Sequence, residues 1–191
     1  MNRRLFIRYA LASGAIALIK HNPVLAGYYY ARGGAAACSE GSATVMCDTV
    51  AGESDITANA IGVAFTLSSQ EDWWGVELMI NAVSDPGTYD FKIGTDPDLS
   101  NAGNVLDTVS GISVSSTAAL NYSKVQFTTC LTLPAGTYYM GVVAASGGSL
   151  DWQRNTTDVC ANQSGRNATS GWNMENSGDY DYAWKKIANG S

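Results

Sequence analysis

The sequence predicts an all-β protein, an antiparallel β-sandwich of jelly-roll type, and three observations carry that expectation. Apolar residues recur at every second position in several short runs, the period of a strand with one face in a core. Turn-forming Gly, Pro, Asn and Asp separate those runs at short intervals. After residue 26 no segment keeps a helical period, because Gly, Ser and Asn interrupt too often.

Residues 1–26 read as an export signal. Arg3, Arg4 and Arg8 form a basic start, Tyr9 to Ile19 a weakly apolar centre, and Val24-Leu25-Ala26 a cleavage-type end. The run Arg3-Arg4-Leu5-Phe6-Ile7-Arg8 suits the twin-arginine route as well as general secretion. Its apolar core is shorter than the roughly 20 residues a spanning helix needs, so a retained segment would tether rather than cross. The 11 Lys and Arg against 17 Asp and Glu give the chain a net charge of −6. Removing residues 1–26 takes away four of the basic residues and none of the acids, leaving −10. Such a surface repels nucleic acid and anionic lipid, both of which are gripped by Lys and Arg. The only histidine, His21, also lies in the signal, which excludes a Ser-His-Asp relay and imidazole-bound zinc or iron from the mature domain.

Gly27 to Gly41 has no strand period and reads as an irregular arm, leaving 42–191 as one sandwich domain. Along that domain Ile61, Val63, Phe65 and Leu67 alternate, as do Tyr89, Phe91 and Ile93. Between them, Trp74, Val76, Leu78 and Ile80 are expected to face inward, which turns Trp73, Glu77 and Asn81 outward. In Lys124 to Leu133 the inward set is Val125, Phe127, Leu131 and Leu133, with Cys130 on the other face. Val142, Val143 and Tyr180 to Ile187 supply the remaining strands. Asp85-Pro86-Gly87 and Pro134-Ala135-Gly136 are the clearest turns. In an exported chain Cys38, Cys47, Cys130 and Cys160 are expected to pair. Three connectivities exist, and proximity along the chain favours Cys38–Cys47 with Cys130–Cys160.

Four segments carry a family resemblance: Ala60 to Leu67 (AIGVAFTL), Tyr89 to Asp96 (YDFKIGTD), Leu131 to Val142 (LTLPAGTYYMGV) and Asp181 to Ile187 (DYAWKKI). Together, over roughly residues 55–189, they resemble the choice-of-anchor R domains of bacterial exported proteins. The resemblance implies a β-sandwich surface module and no catalytic residues.

Three chemistries are open to the mature domain. Sugars stack on exposed aromatic rings while neighbouring polar groups bond their hydroxyls. That points to Trp73 with Glu77 and Asn81, and to Trp152 with Arg154 and Trp172, in polar loops, although large aromatics more often staple loops to a core. The oxygens of Asp96 and Asp98, with Ser100, Asn101 and then Asp107, suggest a structural calcium ion. Pro97 at the second position, and the missing sixth-position Gly, fit better a hairpin loop that bonds its own backbone. A pair of carboxylates acting as a glycan hydrolase is the one enzymatic route left, with Glu77 its only placeable member. The resulting expectations are a secreted, non-catalytic module binding a glycan or surface polymer, then a structural or adhesive protein self-assembling through its arm or sheet edges, then a glycan hydrolase. No cofactor is expected beyond the calcium, and Asn121, Asn155, Asn167 and Asn189 begin N-glycosylation triplets.

Overall fold

The computed structural model describes residues 38–48, 50–82, 87–114, 122–147, 150–157, 159–168, 170–178 and 180–190. The export segment, the arm up to Ala37, the Asp85-Pro86 turn, Asn121 and Asp179 lie outside the described residues.

Antiparallel sheets pack face to face as a sandwich. One sheet has the order β1 (Glu40–Cys47), β13 (Trp184–Asn189), β4 (Glu71–Leu78), β8 (Ser123–Leu133). The facing sheet has six strands in the order β12 (Asn176–Gly178), β11 (Gln163–Asn167), β3 (Ile61–Leu67), β9 (Gly136–Gly147), β6 (Gly87–Gly94), β7 (Val105–Val114). A small third sheet pairs β2 (Gly52–Asp55), β10 (Leu150–Arg154) and β5 (Ile80–Ala82). It continues the four-stranded sheet, because β4 and β5 are separated only by Met79. There Met79 donates to Ala183, Ala183 to Gln153 and Gln153 back to Met79, at 3.1, 2.9 and 2.9 Å. Among the described residues the only helical turn is a 3₁₀ turn at Ala102–Asn104. The arm ends earlier than its composition suggests, since β1 begins at Glu40.

The alternating runs build the core as their period requires. Val63, Phe65 and Leu67, then Tyr89, Phe91 and Ile93, are all buried. Across the interior Phe65 packs on Trp73 and Trp184, at ring separations of 5.3 and 5.1 Å, and Phe91 packs on Phe127 at 6.1 Å. Burying each such side chain contributes about 1.5–3 kcal/mol.

The tryptophan pair on β4 departs from the expected alternation. Trp73, not Trp74, joins Val76 and Leu78 in the main core. Two inward residues three apart cannot both follow a period of two, so the strand pairing must slip between them. It does: Trp73 lies opposite Leu131 but Gly75 opposite Gln126, so β8 advances five residues while β4 advances two. Gly75 sits where any Cβ would overlap the Val125 carbonyl. A glycine inside a strand pattern is the sequence mark of such a bulge or close approach.

The bulge leaves β8 residues 127–130 without partners on β4. Asp107 on β7 supplies them: its Oδ2 accepts from the Thr128 amide at 2.7 Å, and its Oδ1 from the Thr128 hydroxyl at 2.7 Å and the Thr108 amide at 2.8 Å. Since β7 and β8 are edge strands of the two facing sheets, this carboxylate stitches one open side of the sandwich.

The disulfides are Cys38–Cys130 and Cys47–Cys160, which corrects the pairing expected from chain proximity. Cys38 and Cys47 flank one extended strand. At roughly 3.3 Å per residue they stand about 30 Å apart, far beyond the 4.4–6.8 Å that a bridge spans. Instead Cys38, before edge strand β1, joins Cys130 on the opposite edge strand β8. Cys47, at the end of β1, joins the turn that leads into β11, and so links the two sheets.

Candidate functional site

The three expected sugar platforms do not converge. Trp73 is 1% exposed, and its Nε1 donates to the Glu71 carboxylate at 2.7 Å, which also takes Lys186 at 2.6 Å. Burial opposes the Glu71 charge, yet these two hydrogen bonds hold its carboxyl below the usual range. Trp152 is fully buried, stacks on Tyr182 at 4.5 Å and donates to the Ala183 carbonyl at 2.9 Å. Both are therefore core residues rather than ligand platforms. Their polar atoms are already used inside the fold, as large aromatics require when buried. Glu77 is engaged by Lys185 at 3.3 Å. Arg154 donates to the Glu53 carbonyl and lies over Tyr180, 4.4 Å from the ring centre. Asn81 lies on β5 beside Asp151 of β10, away from Trp73.

Trp172 is half-buried on a second, smaller cluster with Leu99, Val143 and Met174. It holds the Lys92 ammonium 4.6 Å above its ring. This cluster lies on the outer face of the six-stranded sheet. The segments around Leu99 and Met174 lie there over a bed of glycines: a Cβ on Gly62 would come within 2.8 Å of the Met174 sulfur, and one on Gly94 within 2.6 Å of Leu99. Burial lowers the pKa of Lys92, which also donates to the Leu99 carbonyl at 2.9 Å.

The Asp96 loop forms its own turns. Asp96 accepts from the Asp98 amide at 2.9 Å, Asp98 from the Ser100 amide at 3.1 Å and from the Ser100 hydroxyl, and Asn101 from the Gly103 amide at 3.0 Å. The hydrogen bond from Ser100 holds the Asp98 carboxyl below its usual range. Asp107 faces Thr128, not this loop. The geometry is that of successive side-chain turns. Asp181 lies within 4.8 Å of the Cys47 and Cys160 sulfurs, but these form a disulfide and offer no thiolate to a metal. Its carboxylate caps the turn before β11, accepting from the Val159 and Cys160 amides at 2.7 and 2.6 Å.

What the six-stranded sheet leaves uncovered is a groove of about 380 Å³. Ala64 and Thr66 of β3, Thr137 of β9 and Ser164 of β11 line it, with Asn162 and Arg166 beside them. These side chains share the outer face, because Phe65 and Tyr138 between them point into the core. The Thr66 and Thr137 hydroxyls meet at 3.2 Å. Tyr139, cross-strand neighbour of Ala64, presents its ring on the same face, with the Arg166 guanidinium 5.6 Å from its centre. Asn162 adopts a φ of 65°, the left-handed turn conformation that Asn tolerates, and so starts β11 at the groove's end.

Among the described residues one buried donor at this groove, Arg166 Nε, has no hydrogen-bond partner. Arg166 donates Nη1 to the Glu175 carbonyl at 3.4 Å, whereas Gln163, opposite Phe65 on β3, points into the core, where its oxygen accepts from Trp184 Nε1 at 2.6 Å. Sequence reading passed over this site because its residues are small, polar and dispersed over β3, β9 and β11. The only local signal was that Thr66 and Thr137 occupy the faces opposite the large buried side chains of Phe65, Leu67 and Tyr138.

No protein-family model matches the chain, and no relative is found among curated proteins.

Proposed function

We propose that this protein is a secreted, non-catalytic β-sandwich module that binds an extracellular carbohydrate in the groove on the outer face of its six-stranded sheet. The observation that carries the reading is the buried Arg166 Nε, which has no hydrogen-bond partner among the described residues, beside the hydroxyls of Thr66, Thr137 and Ser164. Native proteins rarely leave buried donors unpaired, and a ligand rich in hydroxyl or carboxylate oxygens would satisfy this one. Two disulfides are consistent with an oxidising compartment. Among the described residues no helix is long and apolar enough to cross a membrane. The resemblance of four segments to choice-of-anchor R domains is in keeping with a surface setting.

The test is a glycan array followed by calorimetry on the strongest hit. Arg166→Ala and Thr137→Val are expected to weaken binding at least tenfold with little change in melting temperature. A wild-type protein that binds no glycan, or an Arg166→Ala variant that binds as well as wild type, overturns the reading.

One observation favours self-association as a second reading. Val45 is 48% exposed on β1, an edge strand, where another chain can add a strand. Light scattering of wild type and Val45→Lys separates the two: a monomer at all concentrations removes this reading and leaves the first intact.

A further inference from the structure

The geometry points to a calcium site on the outer face of the three-stranded sheet, formed by Asp55, Asp151 and Asn81. Strand register sets the three side by side, since Asp151 of β10 lies opposite Asp55 of β2 on one flank and Asn81 of β5 on the other. Leu150 and Trp152 point into the core, so Asp151 projects from the other face. Placing two carboxylates directly opposite each other destabilises a sheet unless something neutralises them. Here Asp151 is only 3% exposed, its carboxyl lies within hydrogen-bonding reach of that of Asp55, and among the described residues no donor reaches its Oδ1.

No ion pair among the described residues reaches this row, because Lys124, Lys185 and Lys186 are paired with Glu40, Glu77 and Glu71. Arg154, the cation closest along β10, is turned to the Glu53 carbonyl and the Tyr180 ring. Glu53, next but one on β2, adds a third negative charge and is held by the Gln153 amide at 3.2 Å. A buried carboxylate oxygen with no donor and no cation carries a desolvation cost that a bound cation would remove.

The donor chemistry selects the ion. Two carboxylates and one amide oxygen, with no imidazole or thiolate, suit a hard cation. Calcium takes six to eight oxygens in flexible geometry, so water completes the shell on the Asp55 side, which is open to solvent. A site with two carboxylates on a sheet face belongs with weak extracellular sites, whose dissociation constants are about 10⁻⁴–10⁻³ M.

The experiment compares melting of the full chain in EDTA and in about 5 mM CaCl₂ at pH 7.5, alongside Asp151→Asn, Asp55→Asn and Asp98→Asn, with calorimetric titration of CaCl₂. At 5 mM calcium and a dissociation constant near 0.5 mM, wild type should melt about 3–6 °C higher than in EDTA. Asp151→Asn and Asp55→Asn should lose that increment while melting in EDTA at or above the wild-type temperature, because each relieves the like-charge contact. Asp98→Asn should keep the increment. The proposal fails if wild type gives neither a saturable heat nor a shift beyond that of an equal ionic strength of NaCl. It also fails if the increment survives in Asp151→Asn or disappears in Asp98→Asn. The exposed Asp55→Asn decides should Asp151→Asn not fold.

Discussion

Replacing Asp107 by alanine isolates the stitch that closes one side of the sandwich. The substitution removes three hydrogen bonds to an acceptor only 7% exposed, two of them from amides and one from the Thr128 hydroxyl. Bonds to a carboxylate contribute about 1.5–3 kcal/mol each. Thr128 is exposed, so water can recover part of the loss. A net destabilisation of about 3 kcal/mol is expected, equivalent to a fall in Tm of about 6–12 °C for a chain of this size. Asp107→Asn keeps an acceptor oxygen but loses the charge, and should cost about half as much. Thr128→Val removes only the hydroxyl and should cost about 1 kcal/mol. The assay is thermal unfolding followed by far-UV circular dichroism, completed as a double-mutant cycle of Asp107→Ala with Thr128→Val. Because the two side chains touch, their effects should be less than additive. An Asp107→Ala protein melting within 1 °C of wild type, or a fully additive cycle, would refute the assignment of Asp107 as the partner of the bulged strand.

Three further outcomes are expected. Peptide mapping without reduction should recover Cys38 linked to Cys130 and Cys47 linked to Cys160, and replacing either pair by serine should cost about 2–5 kcal/mol in a denaturant titration. In calcium-free buffer the stability of wild type relative to Asp151→Asn should fall as pH rises from about 4 to about 6. Burial first, then sharing of a proton with Asp55 and the charges of Glu53 and Asp55, push the Asp151 carboxyl up to about 6, so across that window the native state holds a proton the unfolded chain has released. Because the lowered Glu71 and Asp98 carboxyls act in the opposite sense, the loss, at most about 3 kcal/mol, is read as the difference between wild type and Asp151→Asn across that window; identical profiles for the two contradict it. Gly141→Ala should destabilise by about 1–3 kcal/mol, because the added methyl meets the Met174 sulfur at 2.5 Å and its methyl at 3.0 Å; unchanged melting would show that the Met174 segment does not rest there.

The sequence by itself determined the class of this protein and most of its interior. Alternation put Val63, Phe65, Leu67, Tyr89, Phe91 and Ile93 in the core, because side-chain direction in a strand depends only on the parity of position. Parity fails wherever a strand slips, and β4 slips between Trp73 and Gly75. That displacement moved Trp73 from an expected sugar platform into the core, with Gly75 the one local hint. Trp152 was misplaced for a related reason: LDWQRN reads as a polar loop, yet it is the middle strand of the small sheet, and its tryptophan packs on Tyr182 from thirty residues downstream. The cysteines followed the same logic, since their bridges join segments 92 and 113 residues apart that only the winding of the chain makes neighbours. Tertiary structure alone decided both candidate sites. The groove gathers single residues from β3, β9 and β11, and the Asp55–Asp151–Asn81 row crosses three strands. Sheet register assembles such sites across the chain direction, where no spacing along the sequence can record them.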